Sequence, residues 1–292
     1  MFSIQAQQFV NLLFLLFLSY FFESLYLDFR MLFVLILFTV FIEHFFIYIK
    51  HTKLTYFSFS SLTTAFGIIL MMVAENIWIY MFAITLGLWQ KHFLTLDGRH
   101  FFNPSNFALL MAMVFFYNDA HIVLGQLGDE LYLRAVVIGL SILILMRVER
   151  FLIPISFMVI YIILQYIFVV SYDVTLILED IYLRFYSVSF IVFLLFMLTD
   201  PQTTPTSLIL QVAFSFFIAG LSVWFDRYYG FRVQHLFMAL FIVSPFVTIF
   251  ELYRKQKLEG KDIVKFTLLV FLVLGVIISI ESNPPYYFEM DS

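Results

Sequence analysis

The chain has 292 residues, of which 63% are hydrophobic and only 12% charged, with a formal net charge of −4 and a mean hydropathy of +1.00. Soluble domains run at roughly 45–50% apolar and about 25% charged, so this composition excludes a soluble globular fold. There is no cysteine, which excludes disulfides, zinc–thiolate sites and cysteine-ligated iron–sulfur clusters.

The apolar residues fall in eleven blocks, at about 9–27, 31–49, 60–74, 77–90, 103–117, 131–147, 151–171, 182–198, 207–225, 234–252 and 263–281. At ~20 residues per crossing these blocks absorb roughly 220 positions. The remaining residues form loops too short to fold alone, leaving no room for a nicotinamide-binding or nucleic-acid-binding domain. The predicted fold class is all-α: a polytopic transmembrane helical bundle of about 10–11 helices, forming one transmembrane domain over residues 1–292. Its 41 Phe residues read as lipid-facing bulk. The lipid bilayer is the first partner implied.

Taken in chain order, the first block has no Lys or Arg before Arg30 and no small-residue cleavage site near Asp28, so it reads as a span and not as a signal peptide. Glu43 and His44 stand late in the second block, close to Lys50 and His51. That position suggests the headgroup level more than a proton relay. Thr63 and Thr64 open the third block as helix-start residues. The blocks at 60–74, 77–90 and 103–117 are shorter than a perpendicular span, which predicts half-helices or tilted pairs.

Three connections are unusual: Lys91–Phe107, Gly125–Glu130 and Met197–Thr206. In the first and third, an apolar helix meets a polar residue plus Pro, at Asn103-Pro104 and Asp200-Pro201, and a new helix then begins. Asn103-Pro104-Ser105 and Thr206-Ser207 are helix-start signals. Backbone that leaves a helix near a membrane needs partners for its NH and CO groups, and a helix N-terminus adds a positive dipole end. Paired breaks of this kind point to a binding site. The candidate residues are Asn103, Asn106, Asp200, Thr203 and Thr204; simple capping is the competing reading. Ala108 and Ala112 form a small-residue face suited to helix packing. The six histidines have no spacing that suggests haem or any metal.

With the N-terminus on the cytoplasmic side, eleven basic residues fall in cytoplasmic loops and five on the other side, the Arg254–Lys265 segment supplying five of the eleven. The positive-inside rule selects this orientation, which puts both Pro-marked breaks on the cytoplasmic side and, for eleven spans, the C-terminus outside.

At these connections the sequence resembles the family of integral-membrane electron-transport subunits that includes NqrB and RnfD, over about residues 60–250. The resemblance rests on Gln90-Lys91-His92 followed by Gly98-Arg99-His100-Phe101-Phe102-Asn103-Pro104, on Met197-Leu198-Thr199-Asp200-Pro201-Gln202-Thr203-Thr204-Pro205, and on Gly125-Gln126-Leu127-Gly128-Asp129. Helices 9–49 and 263–281 would be additions to that core. The resemblance implies a bacterial inner-membrane subunit that relays electrons within a complex. Such a subunit is a component of an oxidoreductase and not an enzyme on its own, with other subunits or a redox donor protein as partners. It also implies a flavin. The family's covalent FMN hangs on a Thr before the Gly-x-x-Gly segment, whereas Asn118–Glu130 here contains no Ser or Thr, so a covalent FMN is not expected there. Riboflavin or FMN held non-covalently by Asn103, Asn106, Asp200, Thr203 and Thr204 is, with Arg99 and Lys91 stabilising negative charge on the ring and Thr63 nearby. A transporter-like or accessory membrane protein that reuses the fold without flavin is the alternative.

Overall fold

The computed structural model describes residues 4–21, 25, 27–51, 59–123, 135–136, 138–139, 142, 150–171, 190, 192–255 and 258–283. Among them run α1 (Ile4–Phe21), α2 (Phe29–His51), α3 (Phe59–Met71), α4 (Ile77–Phe93), α5 (Pro104–Phe115), α6 (Leu152–Gln165), α7 (Leu208–Tyr229), α8 (Gln234–Arg254) and α9 (Gly260–Glu281). Short π-helical turns extend α6 through Tyr166–Val170 and precede the second break at Phe193–Met197. The bundle is all-α apart from two small strand pairs, as composition predicts. The Gly125–Glu130 connection, most of the spans expected at 131–147 and 182–198, and the tail beyond Asn283 lie outside the described residues.

Five described helices are long and apolar enough to cross a bilayer: Phe29–His51, Leu152–Val170, Leu208–Tyr229, Gln234–Arg254 and Gly260–Glu281. Their environments differ. In α9 only Asp262, Leu269, Val273, Val276 and Ile280 are buried, so one stripe packs and the rest faces outward. By contrast, α5 is buried continuously from Pro104 to Met113. A helix that is apolar all round belongs inside a bundle, and α5 is the element the others surround.

Two glycines let α5 sit there. A Cβ at Gly87 of α4 would lie 2.9 Å from the Pro104 carbonyl oxygen and 3.1 Å from Ala108 Cβ; one at Gly67 of α3 would lie 2.7 Å from Ser105 Oγ. Ser105 Oγ donates to the Thr64 carbonyl at 3.0 Å across the same contact. The small face expected at Ala108 is therefore a packing surface against α4.

The blocks at 60–74 and 103–117 end early as helices. At Met71 the chain becomes strand β1 (Met72–Ala74), which pairs antiparallel with β4 (Ala120–Ile122), Val73 opposite His121. That pairing satisfies backbone groups which a half-helix end would otherwise leave open. A second pair, β2 (Thr95–Leu96) with β3 (Arg99–His100), is closed by Asp97 and Gly98, both at positive φ (50° and 77°). Asp-Gly suits a two-residue hairpin loop of this kind.

Candidate functional site

α5 has 12 residues, about 18 Å of helix, too little to cross a bilayer. Its start is fixed by Asn103, the N-cap, whose side-chain oxygen accepts from the Asn106 amide at 3.1 Å, with Pro104 in the first turn. This is the capping the Asn-Pro-Ser signal predicts. The start lies level with the interior of α8 and not with its end. Phe102 stacks on Phe241 with ring centroids 4.3 Å apart, and Asn106 Nδ2 donates to the Phe237 carbonyl at 3.1 Å. Phe241 is the eighth residue of the 21-residue α8, about 10 Å along its axis. The first break thus lies deeper in the bundle than a connection between helix ends.

The second break comes to it. Asn103 Nδ2 donates to Asp200 Oδ2 at 3.1 Å, His100 Nε2 lies 3.3 Å from the same oxygen, and the Gln202 amide donates to Asp200 Oδ1 at 3.0 Å. Arg99 Nη2 donates to the Pro201 carbonyl at 3.0 Å. The Asp97-Gly98 hairpin turns the chain back so that Arg99 and His100 face the second break. Within the second break, Thr204 Oγ1 and Thr203 Oγ1 donate to the Asp200 carbonyl at 2.8 and 3.5 Å. Thr206 is held at its amide and hydroxyl by Glu251 Oε1 of α8, at 3.3 and 3.1 Å. Burial by itself raises the Asp200 carboxyl. The hydrogen bond and charge of His100, the Gln202 amide and the Asn103 amide outweigh it and hold the group below the usual carboxylate range.

Six of the eight residues singled out from sequence (Arg99, Asn103, Asn106, Asp200, Thr203 and Thr204) therefore lie on or beside one junction. Thr63 and Lys91 are engaged elsewhere. Thr63 Oγ1 donates to its own helix at Phe59 O, 2.9 Å. Lys91 Nζ is 3.0 Å from Glu43 Oε1, and His92 Nε2 is 2.8 Å from Glu43 Oε2. Glu43 is buried inside the protein as an anchor between α2 and α4. Its neighbour His44 turns instead to the Val40 carbonyl at 2.7 Å.

Sequence reading quotes His100 and Gln90 within a motif but gives neither a place in the site. Asp97-Gly98 is the available signal for His100, since a hairpin there brings β3 back beside β2. Gln90 Nε2 donates to the Phe102 carbonyl at 3.2 Å, a contact with no local signature. Two buried carbonyl oxygens at the junction, Gln90 Oε1 and Asn106 Oδ1, have no hydrogen-bond donor.

Fold and junction together define a polytopic integral-membrane protein whose half-helix starts inside the bundle, opposite a second break. Residues 117–260 match the model of the NQR2, RnfD, RnfE family, and over that region the chain is similar to these membrane proteins. The matched stretch contains Asp200 and its threonines, while Arg99, Asn103 and Asn106 precede it. No curated protein matches the chain.

Proposed function

We propose that the chain is an integral-membrane subunit of an electron-transport complex of the Rnf/Nqr type, and that the junction of the two breaks is its seat for a non-covalently held flavin. The observation that carries this reading is the direct meeting of Asn103 and Asp200 at 3.1 Å, which brings two Pro-marked helix breaks into one partly buried polar centre packed on an apolar bundle.

The residues fit such a group in kind. Asn106 Oδ1 and Gln90 Oε1 are buried acceptors still lacking donors, and an isoalloxazine ring or ribityl chain carries donors that suit them. The Thr203 and Thr204 hydroxyls are buried and each keeps lone pairs after donating its single proton. Arg99 supplies a fixed positive charge beside the junction, and Phe102, Phe107 and Phe241 supply apolar ring surface. When bound, a flavin supplies one- and two-electron chemistry that no side chain here offers. The protein's own share is to hold Asp200 between His100, Asn103 and the Gln202 amide, to keep water out with the phenylalanines, and to bias the site toward negative charge through Arg99. Electrons arrive from a partner protein, and the Arg254–Lys265 side faces the cytoplasm of a bacterial inner membrane.

One observation favours the alternative of an accessory or transporter-like protein without flavin. Both oxygens of Asp200 are already hydrogen-bonded within the junction, so the breaks also close on each other as a latch. An absorbance spectrum of the detergent-purified chain, before and after acid precipitation, separates the readings. The flavin reading expects a yellow protein that releases all its colour into the acid supernatant, and less colour in Asn106→Ala. Colourless protein that takes up neither riboflavin nor FMN overturns it and leaves the latch.

A further inference from the structure

Where α7 starts, α8 ends and α9 starts, the three helices leave between them an open groove of about 410 Å³ with almost wholly apolar walls. Leu210, Ala213 and Phe217 line it from α7, one stripe at helical spacing. Phe266 lines it from α9. Val243, Val247 and Phe250 line it from α8, again at the spacing of a single helix face. The next position on that face is Arg254, which is exposed. From Val243 to Tyr253 the groove follows α8 for about 15 Å, half of a hydrocarbon core of ~30 Å and so the depth of one leaflet.

The outer end of the groove carries cations. Arg254 and Lys255 follow the groove residue Tyr253, and Lys265 precedes Phe266; all three are exposed. The acids around them are engaged. Glu251 holds Thr206, Glu259 Oε2 lies 2.7 Å from Lys261 Nζ, and Asp262 Oδ2 accepts from the Glu259 amide at 3.0 Å. Among the described residues, Arg254, Lys255 and Lys265 have no carboxylate partner. A polypeptide laid in the groove would find almost nothing on its walls to pair with backbone NH and CO groups, which is costly in an apolar place. A hydrocarbon chain needs no such partners. Basic residues at the mouth of a groove between membrane helices suit an anionic lipid headgroup, and their long side chains reach up to the headgroup level.

We propose that the groove between α7, α8 and α9 is a seat for one anionic phospholipid, with an acyl chain along Val243, Val247 and Phe250 and the phosphate diester against Arg254, Lys255 and Lys265. No covalent bond forms or breaks. Pro205 of the second break also lines the groove, next to the Thr206 that Glu251 holds, so a seated lipid supports that break from the bilayer side. The seat is separate from the junction of the two breaks and stands whether or not that junction holds flavin.

The test is native mass spectrometry of the detergent-purified full-length chain, titrated with dioleoyl phosphatidylglycerol and with dioleoyl phosphatidylcholine, which share their chains and differ in net charge. The expected result is one retained phosphatidylglycerol, bound at least about tenfold tighter than phosphatidylcholine, because each Lys or Arg near an anionic surface contributes roughly fivefold. Arg254→Gln combined with Lys265→Gln should bring the two affinities within about threefold of each other and leave that for phosphatidylcholine unchanged. Ala213→Trp, which fills the groove, should abolish retention of both. Equal affinity for the two lipids overturns the proposal and leaves ordinary boundary lipid. So does a preference that survives the loss of both cations. Glycerol phosphate that displaces the bound phosphatidylglycerol would mean that the headgroup binds without the groove, and also overturns it. A dimer that Ala213→Trp dissolves would give the groove to a second copy instead. If Ala213→Trp does not fold, the two charge substitutions, both at exposed positions, decide alone.

Discussion

The two buried polar centres of this protein are built in opposite ways. At the junction of the breaks, Asp200 is held mostly by neutral donors and by backbone, and the chain around it is non-helical: the hairpin through Gly98 on one side, the turn from Asp200 to Thr206 on the other. At the helix ends, Asp226, His235, Arg232 and Glu281 are ionisable groups carried by or next to regular helices. The first centre organises backbone that would otherwise lack partners; the second organises charge that would otherwise be unpaired. A ligand is therefore expected to exchange hydrogen bonds at the first, while the second ties helix ends together.

Substitutions that break this contrast are ordered by how much buried charge they orphan. Asp226→Ala leaves His235, Gln165 and Tyr161 without their shared partner in a sealed site, and should destabilise the protein by about 3–5 kcal/mol, read as a lowered midpoint in thermal unfolding of the purified chain. Asp200→Ala removes the acceptor for Asn103 and His100 at a less sealed place, with an expected loss of about 2–3 kcal/mol. If the two losses are equal, the distinction between the centres fails. Gly87→Ala tests the frame and touches neither centre directly. Its Cβ meets the Pro104 carbonyl oxygen at 2.9 Å, backbone that cannot step aside, and overpacking of this sort costs about 1–3 kcal/mol. It should also loosen the junction, seen as faster amide exchange at Asn106.

The smallest effect expected is in acid. The Asp200 carboxyl is held below its ordinary range when folded, so its contribution is fully present above the ordinary carboxylate value near pH 4, declines as pH falls below that value, and is gone once pH has passed the lowered one. Asp200→Asn should flatten the acid limb of a stability-against-pH curve. An unchanged limb would show that other carboxylates set it.

Much of the fold was legible in the chain itself. Composition and block length determine a helical membrane protein, because a bilayer leaves the backbone few alternatives. Helices such as Gln234–Arg254 and Gly260–Glu281 begin and end within a few residues of the apolar blocks. Asn103-Pro104 announces a helix start through local capping chemistry, and Asp200-Pro201 a break. What local pattern does not carry is pairing across the chain. Nothing near Glu43 names Lys91 and His92, which are 48 and 49 residues away. Nothing near His235 names Glu281 on one side and Asp226 on the other. In the sequence Lys91 is free to serve the junction, and only its position beside a buried carboxylate assigns it elsewhere. The sequence alone determined solvent and secondary structure, since both depend on residues close together in the chain. The tertiary structure decided which buried charges meet, because in an apolar interior a polar side chain takes whatever partner the packing of distant helices brings within about 3 Å.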